Sequence, residues 1–491
     1  MAQSLAKRIS SGVKATFAAN MFDMLANAAL IVLLTRVLLT PEEYGTLNFA
    51  LAALSVLAIL ATLGVPKSAG RYINEFSGSN PGLVPIVVRR SLTFMIALSV
   101  VVGGAILVFG EPVARLIGQE TLIPFLAIGV FYIAAMAMTQ YSRELLRAFN
   151  RIEWSGVVRV VMGVARVVFV VGFVAIGFGV VGALAGYVVG YVVAALVGGV
   201  LLYWRLYSKL EEDPDPDPNI SRRILGYSIP LTATRGANVL DKKVDVLIVG
   251  ALLDMTAVGF YTIAKQVSDF VSMPASSFGF TISPALGEQQ ASGETDRAAR
   301  MYERSLTYVL LAYVPAVTGL ALVARPMIEY IFGAAYLGAV PVVQVYGGFI
   351  LVNAVNKVTS DGLDYLGRAR SRAVIKTAMA IANVILNLLL IPIFGVTGAA
   401  LATVITYTVY TLANVYFINQ ELSIVLSRVV RALGVVCLVT VGMAVAVALA
   451  LPYVSGLLTL FGAIILGILV WGMLSVVGGV LNPREVAKFL G

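Results

Sequence analysis

The chain has 491 residues, of which 59% are hydrophobic and only 12% are charged. Soluble domains are about 25% charged, so this composition excludes a soluble protein and predicts an all-α polytopic membrane protein. With no histidine, the sequence lacks the commonest general base and metal ligand, and its single cysteine, Cys437, rules out an internal disulfide framework.

Apolar runs of about 20 residues, the length that spans a bilayer, occur fourteen times along the chain. The predicted spans are 15–36, 44–65, 88–109, 121–142, 156–177, 180–203, 229–251, 255–276, 305–324, 338–359, 373–393, 397–418, 430–451 and 456–478. Most of the 35 Lys and Arg residues fall in loops on the side of the N-terminus, whereas the opposite loops hold only Arg36, Arg115 and Arg325. This is the positive-inside pattern. It predicts fourteen helices in the cell membrane with both termini cytoplasmic, and it removes nucleic acid as an expected partner of the +9 charge.

The sequence also repeats itself, with an offset of about 215 residues, as parallel transporter repeats do. The segment from Phe178, FGVVGALAGYVVGYVV, matches FGVTGAALATVITYTV from Phe394, and NRIEWSGVVRVVMGVAR from Asn150 aligns with GRARSRAVIKTAMAIAN from Gly367. Each copy holds six helices, so we expect two lobes of the same orientation, related by a pseudo-two-fold axis along the membrane normal. The predicted divisions are an N-terminal six-helix lobe (1–205), a cytoplasmic linker (206–224), a C-terminal six-helix lobe (225–420) and two additional transmembrane helices (421–491).

Cationic side chains occur at membrane depth in several predicted spans. A charge in hydrocarbon costs roughly 2.5–3.5 kcal/mol, and such groups usually face a bundle interior or a water-filled cavity. We therefore place four deep cations at a substrate-binding cavity: Arg166, Arg235, Lys242 and Lys265. Lys243 is expected to point away from Lys242, and either to extend toward the membrane surface or to pair with Asp241.

Other polar residues at this depth are candidates for the cavity wall or for ion coupling. They are Asp23, Asn27, Asp241, Asp245, Asp269 and Asn383. A carboxylate in such a cavity can exchange a proton or bind Na⁺. The alternative is that these groups join helices, with Asp and Lys neutralising each other and Asn bonding across helices for about 0.6–2 kcal/mol. No catalytic residue and no cofactor is predicted, apart from H⁺ or Na⁺ as a coupling ion.

Two segments resemble a known transporter superfamily. The stretch Leu38–Phe76, LLTPEEYGTLNFALAALSVLAILATLGVPKSAGRYINEF, resembles the opening of Wzx-type polysaccharide flippases, which belong with the MATE and MurJ transporters. The stretch Asn383–Tyr407, NVILNLLLIPIFGVTGAALATVITY, resembles their segment across helices 11 and 12. The resemblance implies two six-helix lobes around a cavity that opens alternately to each side. It also implies flipping of a polyprenyl-pyrophosphate-linked oligosaccharide between leaflets, with cavity cations meeting the pyrophosphate or acidic sugars.

The leading hypothesis is therefore a lipid-linked oligosaccharide flippase that works by alternating access in surface polysaccharide or glycoprotein assembly. The alternative is a MATE-like cation-coupled antiporter that exports drugs or metabolites, which would need an acidic or aromatic cavity. An enzyme is not expected, because no acid–base constellation is present and the longest loops are roughly twenty residues. The expected partners are membrane lipid, the lipid-linked oligosaccharide and glycan-assembly proteins, and the expected state is a monomer.

Overall fold

A computed structural model describes residues 2–116, 118–213 and 219–479. These described residues are almost entirely helical and contain no strand, so the all-α prediction is confirmed. The helices are α1 (Ala2–Leu33), α2 (Pro41–Thr62), α3 (Val65–Ser79), α4 (Val84–Leu116), α5 (Ile123–Ala148), α6 (Ile152–Phe173), α7 (Gly179–Arg205), α8 (Ile220–Leu252), α9 (Met255–Ala291), α10 (Thr295–Met327), α11 (Val340–Tyr365), α12 (Ala369–Phe394), α13 (Val396–Leu422), α14 (Leu426–Ala450) and α15 (Leu457–Val477).

Within the described ranges, 11 segments are long and apolar enough to cross a membrane. One of them, Ile152–Lys209, is 58 residues long and contains both α6 and α7. The helices α8 and α9, which carry the predicted spans 229–251 and 255–276, are not in this set. The chain is therefore a multi-pass membrane protein, while the count of fourteen spans and the arrangement in two lobes stay predictions.

The helix α3 is not among the predicted spans. At 15 residues it is too short to cross a bilayer, and it carries the exposed cations Lys67 and Arg71. Its apolar side chains recur at helical spacing and are buried on one face: Val65, Ala69, Tyr72, Ile73 and Phe76. A search for long apolar runs misses such an amphipathic helix, because its hydrophobic residues are periodic and not continuous.

By their contacts, the residues form two compact units, Met1–Val258 and Gly259–Gly491. In the first unit, α6 packs against α1 and α7, α5 packs against α4 and α7, and α8 packs against α2 and α3. In the second unit, α13 packs against α11 and α12, and α10 packs against α11 and α14. Contacts thus place α8 in the first unit, whereas the repeat suggests a boundary near residue 225. The four-part division of the chain stays a prediction.

The two copies of the sequence repeat share unusual backbone conformations at matching positions. Asn150 and Gly367, which begin the aligned segments, have positive φ angles of 56° and 78°. Gly179 and Gly395, each one residue after a matched Phe, have φ and ψ of 53° and −139°, and of 60° and −144°. The helix pairs α5–α7 and α6–α7 recur as α11–α13 and α12–α13. The repeat in sequence therefore corresponds to a repeat in local structure.

The backbone at Gly179 supports a stability prediction. Its conformation is one that residues with a Cβ rarely adopt, so Gly179→Ala is expected to lower the free energy of unfolding by about 1–3 kcal/mol. An added Cβ meets no atom within 4 Å at Gly179, so the expected loss comes from backbone strain alone. The control is Gly172→Ala, which has equally open surroundings on the helix α6 and should be neutral or stabilising by about 0.5–1 kcal/mol. Thermal unfolding in detergent measures both, and equal melting temperatures would contradict the prediction.

The buried carboxylate of Glu303 on α10 binds the N-terminal end of α14. The Glu303 side chain on α10 is 7% exposed and accepts hydrogen bonds from the backbone N–H of Val425, at 2.7 Å, and from Arg428, at 2.9 Å. Val425 precedes the first turn of α14, where a negative charge is favourable. The α14–α15 pair, which lies outside the repeat, thereby attaches to the second unit through α10.

Candidate functional site

A cavity of about 210 Å³ lies between α2, α5 and α8 in the first unit, and we call it the α8 cavity. Its lining residues are Ser55, Ala58, Ile59, Met136, Arg235, Val239, Lys242 and Lys243. The three cations all come from α8, at spacings of seven and eight residues that place them along one side of the helix. The remaining wall is mostly apolar. An anion here would therefore meet the positive charges of Arg235 and Lys242 in surroundings that screen them less than water does.

Gln140 on α5 holds the Arg235 side chain, since its side-chain oxygen accepts from the Arg235 guanidinium. Gln140 lies one turn after Met136, so α5 contributes both to the cavity wall and to the position of its arginine. Arg235 is half-buried and Lys242 is exposed. The arginine is thus oriented by a neighbouring helix, while the Lys242 amine is accessible to a ligand.

Lys243 corrects one expectation from the sequence. The sequence predicts that it points away from Lys242, whereas both residues line the α8 cavity. Lys243 also interacts with a neighbouring group, so its predicted pairing is not contradicted. Adjacent positions on a helix are about 100° apart, and the long flexible stem of lysine can cover that angle. The cavity therefore holds one cation more than the sequence assigned to it on α8.

A second charged group joins α1 to α6. The Arg166 guanidinium lies 3.3 Å from a carboxylate oxygen of Asp23, and the two side chains are 11% and 29% exposed, respectively. Arg166 also lies over the ring of Tyr187 on α7, with its guanidinium carbon 5.7 Å from the centroid. Gly190 makes this crossing possible, because a Cβ there would stand 2.9 Å from the Arg166 Cα. Close packing of α7 thus fixes the backbone that carries Arg166.

Two further arginines surround this pair. Arg143 on α5 and Arg159 on α6 are close enough to interact electrostatically with Asp23. The Nε atoms of both Arg143 and Arg166 are buried and have no hydrogen-bond partner. Asp23 therefore faces an excess of positive charge, and two guanidinium N–H groups have unused donor capacity.

The other first-unit candidates have different surroundings. Asp245 is buried, with 3% of its surface exposed, and Asp241 is half-buried. Both interact with neighbouring groups, and neither is among the lining residues of the α8 cavity. Asn27 is half-buried and lies one turn after Asp23 on α1. These positions agree with neutralisation of charge within the bundle, the alternative interpretation that the sequence left open.

Three predicted site residues belong to the second unit. Lys265 on α9 lies 5.8 Å from the ring centroid of Tyr261, and Asp269, also on α9, is exposed. Asn383 on α12 accepts from the Asn387 amide at 2.9 Å and donates to Thr406 at 3.4 Å. The bond from Asn383 to Thr406 joins α12 to α13, as expected for a polar residue that holds helices together.

Comparison with known proteins places the chain in a family. A family model described as "Polysaccharide biosynthesis protein" matches residues 9–290. The chain belongs to this polysaccharide biosynthesis protein family. The match covers α1 from residue 9 onward and all of α2 to α8, and with them the α8 cavity and the Asp23–Arg166 pair.

Individual relatives of this family member agree with that placement. The chain is 23% identical over 395 residues to the probable low-salt glycan biosynthesis flippase Agl15 of Haloferax volcanii, covering 78% of each chain. Lipid II flippase MurJ in an inward closed conformation superposes with a TM-score of 0.75 at 15% identity, covering 94% of this chain and 98% of that one. An inward-facing multidrug resistance MATE family transporter gives 0.68 at 16% identity, covering 82% and 94%. The fold is therefore that of MurJ and MATE, and the resemblance to Wzx-type flippases is confirmed.

The sequence of this polysaccharide biosynthesis protein does not predict three of the residues that lie at these sites. Gln140 is uncharged and does not interrupt the predicted span 121–142. Arg143 lies just beyond that span, so the sequence predicts that it belongs to a loop, although α5 continues to Ala148. The sequence places Lys243 outside the cavity. Only knowledge of which helices pack together brings Gln140 to Arg235 and Arg143 to Asp23.

Proposed function

We propose that this protein is a flippase that moves a polyprenyl-(pyro)phosphate-linked oligosaccharide across the cell membrane for surface polysaccharide or glycoprotein assembly. The observation that carries the proposal is the α8 cavity, where Arg235, Lys242 and Lys243 share a mostly apolar pocket. A guanidinium binds two phosphate oxygens through its planar fork and stays charged, and lysine amines add point charges. A diphosphate headgroup fits this combination of charges.

The family match and the name of the Haloferax volcanii relative support a role in glycan biosynthesis. The fold shared with MurJ and MATE supports transport by alternating access, in which two six-helix lobes rock about the bound headgroup. The free energies of the inward and outward forms without substrate then differ by only a few kcal/mol, so that substrate binding can shift their populations. The protein acts as a transporter and not as an enzyme.

We assign ion coupling to the Asp23–Arg166 pair. H⁺ or Na⁺ at the Asp23 carboxylate would weaken its hold on Arg166, whose side chain is 11% exposed. The released guanidinium would then be available to an anionic headgroup. The same proposal places the protein in the cell membrane as a monomer, with both termini cytoplasmic. Its partners are membrane lipid, the lipid-linked oligosaccharide and glycan-assembly proteins.

A MATE-like antiporter for organic cations is the second candidate, because an inward-facing MATE transporter shares the fold. The charges of the α8 cavity oppose it, since Arg235 and Lys242 on one cavity wall repel a cationic drug. The residues Lys265, Asp269 and Asn383 of the second unit stay candidates for the wall of a larger transport cavity.

Deletion of the gene tests the proposal against this alternative. The expected result is loss of the surface glycan or of glycoprotein glycosylation, with lipid-linked oligosaccharide accumulating in the cytoplasmic leaflet. Resistance to cationic drugs should stay unchanged. Lectin staining measures the surface glycan, and mass spectrometry of extracted lipid-linked sugars measures the accumulated oligosaccharide. Growth inhibition measures drug resistance. Normal glycans with new drug sensitivity would overturn the flippase and favour the antiporter, and sugar transfer by the purified protein would indicate an enzyme.

A further inference from the structure

A larger groove lies between α4, α5 and α7 in the first unit, and we call it the α7 groove. Its volume is about 660 Å³, and it shares no lining residue with the α8 cavity. Most of its wall is aliphatic. The hydroxyls of Tyr141 and Ser142 in the wall are occupied, because Tyr141 donates to the Val88 carbonyl at 2.9 Å and Ser142 donates to the Thr139 carbonyl at 3.0 Å. The groove interior therefore suits a hydrocarbon chain.

The groove has the length of one membrane leaflet. On α5, its lining residues extend from Phe131 to Ser142, a rise of about 16 Å along the helix. Half of the hydrocarbon core of a bilayer is about 15 Å. Two of the lining side chains, Phe131 and Leu196, are 67% and 63% exposed, so the groove opens on an exposed apolar face of the bundle.

One end of the groove has the features of the membrane–water interface. Tyr203 and Tyr207 line it there, with stacked rings 6.0 Å apart, and the exposed Trp204 packs edge-on against Tyr203. Tyrosine and tryptophan are enriched at this depth. Arg89 lines the same groove and pairs with Glu212 at 2.7 Å, with 52% of its side chain exposed. Two hydrogen bonds join this pair, because a second guanidinium nitrogen donates to Glu212 at 3.1 Å. A phosphate offers the same two-oxygen geometry, so it can compete for the exposed guanidinium.

We propose that the α7 groove binds one phospholipid of the adjacent leaflet, with a hydrocarbon chain along α5 and α7 and the phosphate at Arg89. The charge at the mouth matches an anionic headgroup, because the exposed Arg90 follows Arg89 at the start of α4. The leaflet-length groove matches an ordinary membrane lipid, whereas a polyprenyl carrier is several times longer. This inference is independent of the proposed function, because a bound structural lipid is compatible with any transported substrate.

Native mass spectrometry of the full-length protein, delipidated and titrated with phosphatidylglycerol, tests the groove. Gly199 lines it, and a Cβ added there meets no atom within 4 Å, so Gly199→Phe should fill the groove without straining the helix. We expect this variant to lose the bound lipid. The control is Val200→Phe, because Val200 is 55% exposed but does not line the groove, and this variant should bind as the wild type does.

The headgroup is tested by a second pair of variants. Arg89→Ala is expected to weaken phosphatidylglycerol binding about fivefold, the effect of one cation near an anionic lipid surface. Arg304→Ala, which removes the same charge from an exposed residue of α10 outside the lining, should change little. Size-exclusion chromatography verifies folding, and Ala195→Phe replaces Gly199→Phe if that variant aggregates. Unchanged lipid binding in the filled groove would overturn the proposal. Displacement of phosphatidylglycerol by polyprenyl phosphate, abolished by Gly199→Phe, would reassign the groove to the carrier.

Discussion

Arg235→Ala and Lys242→Ala are each expected to abolish glycan transport while leaving membrane insertion intact. Both side chains line the α8 cavity, whose wall is otherwise mostly apolar. Hydrogen bonds to charged groups contribute about 1.5–3 kcal/mol each, so loss of one cation should weaken headgroup binding roughly 10-fold to 150-fold. Restoration of surface glycan in a deletion strain measures transport, and immunoblotting of membranes measures insertion.

The matched control for these variants is Arg222→Ala. Arg222 is an exposed cation in the first turn of the same helix and lies outside the cavity lining, so its loss should leave transport near the wild-type level. Arg235→Lys should recover activity only in part, because an ammonium keeps the charge but cannot make the two-pronged contact with phosphate. Full activity of both alanine variants would remove the α8 cavity from the transport mechanism. Equal loss in Arg222→Ala would indicate a general effect of α8 charge instead.

Much of the fold follows from the sequence because the membrane imposes simple rules on it. A backbone in hydrocarbon must satisfy its own hydrogen bonds, so long apolar runs become helices, as they do from α4 to α7. The repeat predicted matching local structure, and the positive φ angles of Asn150 and Gly367 occur where the alignment begins. The helix α3 was missed because its signal is a periodic apolar face, which a search for continuous hydrophobic segments does not detect.

The site was predicted less completely, because a sequence shows which residues share a helix face but not which helices meet. Spacing on α8 predicts that Arg235 and Lys242 share a face of the helix, and both line the α8 cavity. No local pattern shows that Gln140 of α5 contacts Arg235. The Asp23–Arg166 contact connects two residues for which the sequence predicts separate roles, one as a coupling carboxylate and one as a cavity cation. The pairing changes the chemistry of both groups, since each now neutralises the other.

Asp23→Asn is expected to lower the free energy of unfolding more than neutralising an exposed carboxylate that also pairs with an arginine. In Asp23→Asn, the guanidinium of Arg166 keeps its charge with 11% of the side chain exposed and loses its counter-ion. Removing one partner of a fully buried pair costs about 3–5 kcal/mol. Since Asp23 is 29% exposed, about 1–3 kcal/mol is expected here after solvent screening. The control is Glu111→Gln, which breaks the exposed Arg115–Glu111 pair of α4 and should cost at most about 1 kcal/mol.

A double-mutant cycle with Arg166→Gln separates stability from coupling. If the pair matters only for stability, Asp23→Asn combined with Arg166→Gln should recover most of the melting temperature, because the guanidinium that lost its ion-pair partner is also removed. If Asp23 also carries the coupling ion, Asp23→Asn transport in proteoliposomes should no longer respond to a H⁺ or Na⁺ gradient. Retained gradient dependence in Asp23→Asn would exclude Asp23 as the coupling site and leave the pair a structural role. Melting temperature and gradient response are independent measurements. A variant that keeps its melting temperature but no longer responds to the ion gradient would therefore show that the carboxylate does more than hold α1 against α6.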